Sequence, residues 1–198
     1  KLKQQLNSEG LFETNKKLTI PKTPNKIGII TSEKGAVIWD MINFFRNQKI
    51  NLNFIVNHCS VQGDKAYKEI VNGINNFKKL NVDLIIIARG GGSIEDLWCF
   101  NNEELIRKIS KTNIPIISAV GHETDYTLCD FVADFRAPTP SYAAELIARN
   151  YQSAIMEIDD YIESIKNKMD SILKSYNEVL NSISIENSIK IFYQKTRN

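Results

Sequence analysis

Val82-Asp83-Leu84-Ile85-Ile86-Ile87-Ala88-Arg89-Gly90-Gly91-Gly92-Ser93-Ile94-Glu95-Asp96-Leu97-Trp98 decides the reading of this chain. Its first half is the most apolar run in the sequence, of a length that suits a buried strand, and it runs straight into three glycines with an arginine at their lip. Glycines let backbone N–H groups approach an anion with no side chains in the way, and a helix opening behind them adds the positive end of its dipole. The anion that suits such a turn is a phosphate, with Arg89, Gly90, Gly91, Gly92 and Ser93 as its candidate contacts. No Gly-Lys-Ser/Thr follows and the spacing is not that of the dinucleotide fingerprint, which disfavours nucleoside triphosphates and NAD. The plainer reading is a tight strand-to-helix connection.

Outward from this stretch the same grammar repeats. Ile27-Gly28-Ile29-Ile30 is a short apolar strand, 53–56 a second, 82–88 the third and 114–120 the fourth, with Pro115 near its start, where a missing N–H suits an edge. Val37, Met41, Phe44 and Phe45 recur at helical spacing across 34–48, as do Ala66, Ile70, Ile74 and Phe77 across 64–80, and 103–110 is the core of a third helix. Strand alternating with helix four times predicts an α/β fold: a mainly parallel four-stranded sheet with helices on both faces. Residues 1–8 suit a short helix stopped by Gly10, and Pro21 and Pro24 punctuate an irregular stretch behind it. The expected division is a lead-in of 1–25, an α/β domain of 26–140 and a helical extension of 141–198.

In such sheets ligands bind beyond the carboxyl ends of the strands. The residues just past the four ends are Thr31-Ser32, Asn57-His58, Arg89 to Ser93, and Gly121-His122-Glu123-Thr124-Asp125, a set that holds both histidines of the chain. A lone histidine is more often structural than catalytic, but His122 has a glycine before it and Asp125 three residues after it. On a helical first turn that spacing lets imidazole and carboxylate share a face. Asp40 lies within the apolar stripe Val37, Met41, Phe44, where a charge either finds a partner or sits at the solvent border.

Asp134 to Ser141 reads as a turn into a new helix, with Thr139 as N-cap and Pro140 at the first helical position. Ile155, Ile158, Ile162, Ile165, Met169, Ile172, Tyr176, Val179 and Ile183 then alternate spacings of three and four, and Ala144, Ala148 and Tyr151 continue the seam backwards. That is a coiled-coil-type register, whose narrow seam favours helix-to-helix packing over burial on the domain. The partner is a second helix beyond residue 198 or another chain, including a second copy of this one.

Composition adds exclusions. With 25 basic and 23 acidic residues the formal net charge is +2, so a nucleic-acid surface has to be local. Cys59, Cys99 and Cys129 form no C-x-x-C pair, which argues against a zinc ribbon or a disulfide framework and fits reduced thiols in the cytoplasm. No apolar run has membrane-spanning length, and the first residue is Lys1, as expected of a piece of a longer chain.

Several of these stretches, in this order, resemble the large-subunit family of bacterial exodeoxyribonuclease VII: Ile27 to Ser32, Val61-Gln62-Gly63, Arg89 to Trp98, Ser118 to Asp125, Asp130 to Asp134, and Arg136 to Ser141. The resemblance covers about 27–147. It implies a nuclease that degrades single-stranded DNA from both ends to 5′-phosphate products, with no strict need for a divalent metal such as Mg. It also implies a long helical region that binds several copies of a small helical subunit. The family's catalytic residues carry over onto Asp40, Arg89, His122 and Asp125, and no role is carried onto His58. A mixed nitrogen and oxygen metal site at Asp40, His122 and Asp125 is the metal-dependent variant. The rivals are a small-molecule phosphate-binding or transferase domain, which binds a nucleotide or sugar phosphate without cutting DNA, and a purely structural assembly module.

Overall fold

The computed structural model describes residues 1–32, 36–63, 65–90, 94–121, 124–183 and 185–196. It divides into two compact units, Lys1–Gln152 and Ser153–Asn198. The first is built on strands β1 (Lys26–Thr31), β2 (Asn53–His58), β3 (Leu84–Ala88), β4 (Ile116–Ala119) and β5 (Phe135–Arg136). They form one sheet in the order β2-β1-β3-β4-β5, and every neighbouring pair is parallel. The sheet thus has five strands where the pattern predicts four. The extra one, β5, is two half-buried residues long, too short for any periodicity to mark, and it lies within the stretch that reads as a turn. It makes β4 an interior strand. Pro115 therefore stays outside β4 at its entrance, and its carbonyl accepts from Ile85 N at 2.9 Å.

The period of two along each strand sorts the isoleucines onto opposite faces. Ile27, Ile29, Leu84, Ile86 and Ile117 bury against Val37, Met41 and Phe45 of α2 (Val37–Asn47) and against Ala143, Ala144, Ile147 and Ala148 in the first turns of α6 (Pro140–Ile183). Ile30, Ile85, Ile87 and Ile116 face α3 (Ala66–Leu80) and α4 (Glu103–Ser110). Helices cover both faces, as the alternation predicts. Gly28 is where α3 comes closest, since a Cβ there would meet the Phe77 ring at 2.6 Å.

The N-terminal stretch belongs to this same unit. Leu6, on α1 (Leu2–Ser8), is fully buried in the second of these clusters beside Cys129 and Val132 of α5 (Leu128–Val132). Arg107 donates to Glu9 through Nη1 at 2.6 Å and Nη2 at 2.9 Å, clamping the end of α1 to α4. Asp134 accepts from Leu18 N at 2.6 Å and from Ile116 N at 2.7 Å, stitching the following segment to the start of β4.

The second unit is helical: the remainder of α6, then α7 (Ile185–Lys195). Ala144 and Ala148, the backward end of the seam, are spent on the core of the first unit. From Ile155 to Ile183 the seam lies open, with Ile158, Ile165 and Ile172 each 54–59% exposed. No described helix is long and apolar enough to cross a membrane.

Candidate active site

The strand order places a crossover between β1 and β3, where connections leave in opposite directions and open a crevice at the carboxyl ends. A cleft of about 160 Å³ lies there, and four connections contribute to its walls. The β1 connection supplies Val37 and Asp40, the β3 connection Arg89 and Gly90, the β4 end Ala119 to Gly121, and the β5 connection Pro138 to Ser141. Pro140 opens α6, so the amino end of a 44-residue helix sets its positive dipole against the cleft. Thr139 caps it, with Oγ1 accepting from Tyr142 N at 3.1 Å.

Arg89 supplies the charge. Its side chain is 5% exposed, and its Nη2 donates to Asp96 Oδ2 at 2.9 Å, with Asp96 33% exposed. Asp96 sits on the 3₁₀ segment Ile94–Asn101, which follows the glycine turn in place of the expected helix; the α-helix behind it, α4, starts only at Glu103. That segment is anchored at its far end, where Asn101 Oδ1 accepts from Leu128 N at 2.7 Å. The helix dipole at the cleft is therefore that of α6 and not of α4. Near the ion pair, burial pushes the Cys99 thiol up to about 11 against the opposing pull of Arg89, and burial first and Glu69 second raise Cys59 to about 12. Burial also raises Cys129, so none of the three free thiols is set up as a nucleophile.

The fourth loop is folded back on itself. A Cβ on Gly121 would run into the carbonyl oxygen of Asp125, an approach that glycine alone permits. Beneath it, buried Asp130 accepts from Ser118 Oγ at 2.7 Å, Thr127 N at 2.8 Å and Thr127 Oγ1 at 2.9 Å. Thr127 and Asp130 form a capping box that starts α5 at Leu128. Asp125 is consequently half-buried in irregular chain before the helix and not on its first turn.

Of the expected site residues, Asp40, Arg89 and Gly90 come together in the cleft. Asp40 is exposed at the solvent border of α2. Thr31, Ser32 and Asp125 are not among the described residues that line it. Thr31 is fully buried at the end of β1, with no hydrogen-bond partner for its Oγ1 among the described residues. His122, Gly91, Gly92 and Ser93 lie outside the described residues. Among the described residues no three metal-ligating side chains gather to hold a cation. Sequence reasoning missed Asp96 as the partner of Arg89, and it missed 138–141 as a wall. The N-cap and first-turn proline of α6 are a legible signal for that wall once β5 is known to precede them.

The family described as "Exonuclease VII, large subunit" matches residues 11–197. The chain is 47% identical over 195 residues to the exodeoxyribonuclease 7 large subunit of Clostridioides difficile (strain 630), covering 89% of this chain and 49% of that protein. To the protein of the same description from Koribacter versatilis (strain Ellin345) it is 48% identical over 174 residues, 87% of this chain and 37% of the relative. To that of Halothermothrix orenii it is 43% identical over 199 residues, 98% and 49%. The chain spans about half the length, or less, of these curated relatives.

Proposed function

Because the chain belongs to the exonuclease VII large-subunit family, we propose that it carries the catalytic unit of a cytoplasmic exonuclease. The enzyme hydrolyses phosphodiester bonds of single-stranded DNA from both ends and releases 5′-phosphate products. The observation that carries this reading is the cleft at the strand carboxyl ends, where Arg89, the Gly90 backbone and the amino end of α6 face Asp40.

The scissile phosphate sits between the Arg89 guanidinium and the backbone amides of Gly90 to Gly92, with α6 adding its dipole. These groups stabilise charge growing on the equatorial oxygens. His122 acts as the general acid or base, Asp125 fixes its tautomer, and Asp40 orients the water or the imidazole. No divalent cation is strictly required in this scheme; in the metal-dependent version Asp40, His122 and Asp125 would hold one.

His122→Ala and Arg89→Ala, made separately in the intact protein and assayed on single-stranded oligonucleotides in excess EDTA, test the assignment. Near wild-type rates in either variant remove that residue from the mechanism. Activity lost on chelation and restored only by a divalent ion replaces the metal-free scheme. Binding of a sugar phosphate or nucleotide without cleavage selects the rival phosphate-binding reading.

The open seam of α6 is the docking surface for several copies of the family's small helical subunit, forming a coiled coil. From Ile158 to Ile183 its isoleucines are more than half exposed, within a seam of three- and four-residue spacing. Ile165→Asp with Ile172→Asp abolishes co-purification of that subunit and leaves the first unit folded. Retained co-purification rules the seam out.

A further inference from the structure

We propose that Tyr126 is a stacking platform for a nucleobase of the bound strand, next in the chain to Asp125, which packs on Gly121 of the phosphate cleft; this rests on the single-strand nuclease reading above. The ring is 58% exposed, yet it is held. The Arg136 guanidinium lies 3.9 Å from its centroid, and the Phe131 ring packs 5.9 Å away at 34°. Phe131 is itself backed by Phe12 at 5.8 Å and by the Lys3 ammonium 3.8 Å over its ring. An exposed aromatic fixed from behind loses little freedom when a ligand arrives, which is the economy of preorganised binding.

Both members of the Tyr126–Arg136 pair are tied to the walls of the cleft. Tyr126 follows Asp125, whose carbonyl oxygen presses on Gly121, a residue of the cleft wall. Arg136 pairs with Ser118 across β4 and β5, and Pro138, two residues on, begins the opposite wall.

The ligand class follows from the chemistry. An exposed aromatic ring beside a cation offers no pattern of donors and acceptors to read a base edge, and every base has a π-face, so the contact tolerates all sequences. That suits an enzyme which degrades a strand without regard to sequence. The competing role for the ring is a cover over Phe131, which would contribute stability and be indifferent to bases.

The test measures binding of phosphorothioate-linked oligothymidylate, and of an abasic phosphorothioate strand of equal length, to the intact protein by fluorescence anisotropy at fixed salt. Tyr126→Phe keeps wild-type affinity for both strands. Tyr126→Ala and Tyr126→Leu bind oligothymidylate about 5- to 150-fold more weakly, the range for one stacked base, and bind the abasic strand as wild type does. Equal loss on both strands, or no loss on oligothymidylate, overturns the platform while leaving the nuclease reading intact. A wild-type protein that neither binds nor cuts single-stranded DNA overturns both.

Discussion

Arg89 and Asp96 form an ion pair of 2.9 Å in which the guanidinium is almost fully buried and the carboxylate reaches water. The arrangement keeps a cation ready in the wall of the cleft at low cost, since a buried charge without a partner is expensive. Arg89→Ala should lower kcat on single-stranded DNA by about 100- to 1,000-fold, as loss of a transition-state charge donor does. Arg89→Lys should not restore it, because an ammonium lacks the two-pronged fork. Asp96→Ala should cost about 2–3 kcal/mol of stability, below the ~3–5 of a fully enclosed pair because water reaches the carboxylate. Thermal and urea unfolding check this; an unchanged midpoint in Asp96→Ala means the pair stabilises nothing.

Two glycines of the same cleft should respond in opposite ways to one methyl group. At Gly121 the added Cβ runs into the backbone oxygen of Asp125, which can move only if the fourth loop moves, whereas at Gly90 its nearest neighbour is Val37 Cγ2 at 3.6 Å, ordinary contact. Gly121→Ala should displace Asp125 and lower cleavage by about 100-fold, the typical penalty for misplacing a catalytic group by an ångström. Gly90→Ala should unfold at the wild-type temperature. Circular-dichroism melts and oligonucleotide cleavage compare the two, and wild-type cleavage by Gly121→Ala would mean the loop has another course.

This pair of glycines also marks what the sequence does and does not disclose. Four strands are legible because each carries a short apolar run rich in β-branched residues between polar stretches; Phe135–Arg136 carries no such signal, being two residues completing an edge. Arg89, Gly90 and Asp40 are legible because the rule of strand ends and the broken apolar stripe are local. The Asp96 partnership, the wall at 138–141 and the return of Asp125 onto Gly121 depend on chain reversals with no period. The Thr127–Asp130 capping box, a Thr-x-x-Asp before an apolar pair, and the Asn102 cap of α4 are local signals that the pattern reading passes over.

The cysteines offer a check on the core itself. All three are buried and free, and burial raises each thiol above its ordinary value. In native protein at pH 8 an aromatic disulfide reagent should therefore react far more slowly than with a free thiol, and in denaturant all three should react at once. A fast native phase equal to one thiol would show that one of these sites opens.

The N-terminal segment is fastened by two carboxylates that titrate in opposite senses. Hydrogen bonds from Arg107 first, then Gln5, hold Glu9 below its ordinary value of 4.5. Its clamp is thus fully present above that value and is lost as pH falls through the lowered folded value. Burial raises Asp134 above 3.8 despite the N–H groups of Leu18 and Ile116, so its ionised form is disfavoured in the fold. The resulting penalty is complete above the raised folded value and disappears as pH falls toward 3.8, the reverse of Glu9. Glu9→Gln should therefore be less stable than wild type at pH 7, with the difference closing as the solution is acidified below 4. Urea unfolding from pH 7 to pH 3 measures that convergence, and a difference independent of pH would remove ionisation of Glu9 as the source of the clamp. Carboxyl-carbon NMR titration should find Asp134 above the ordinary aspartate range, and a value below it would mean that the two N–H donors outweigh burial.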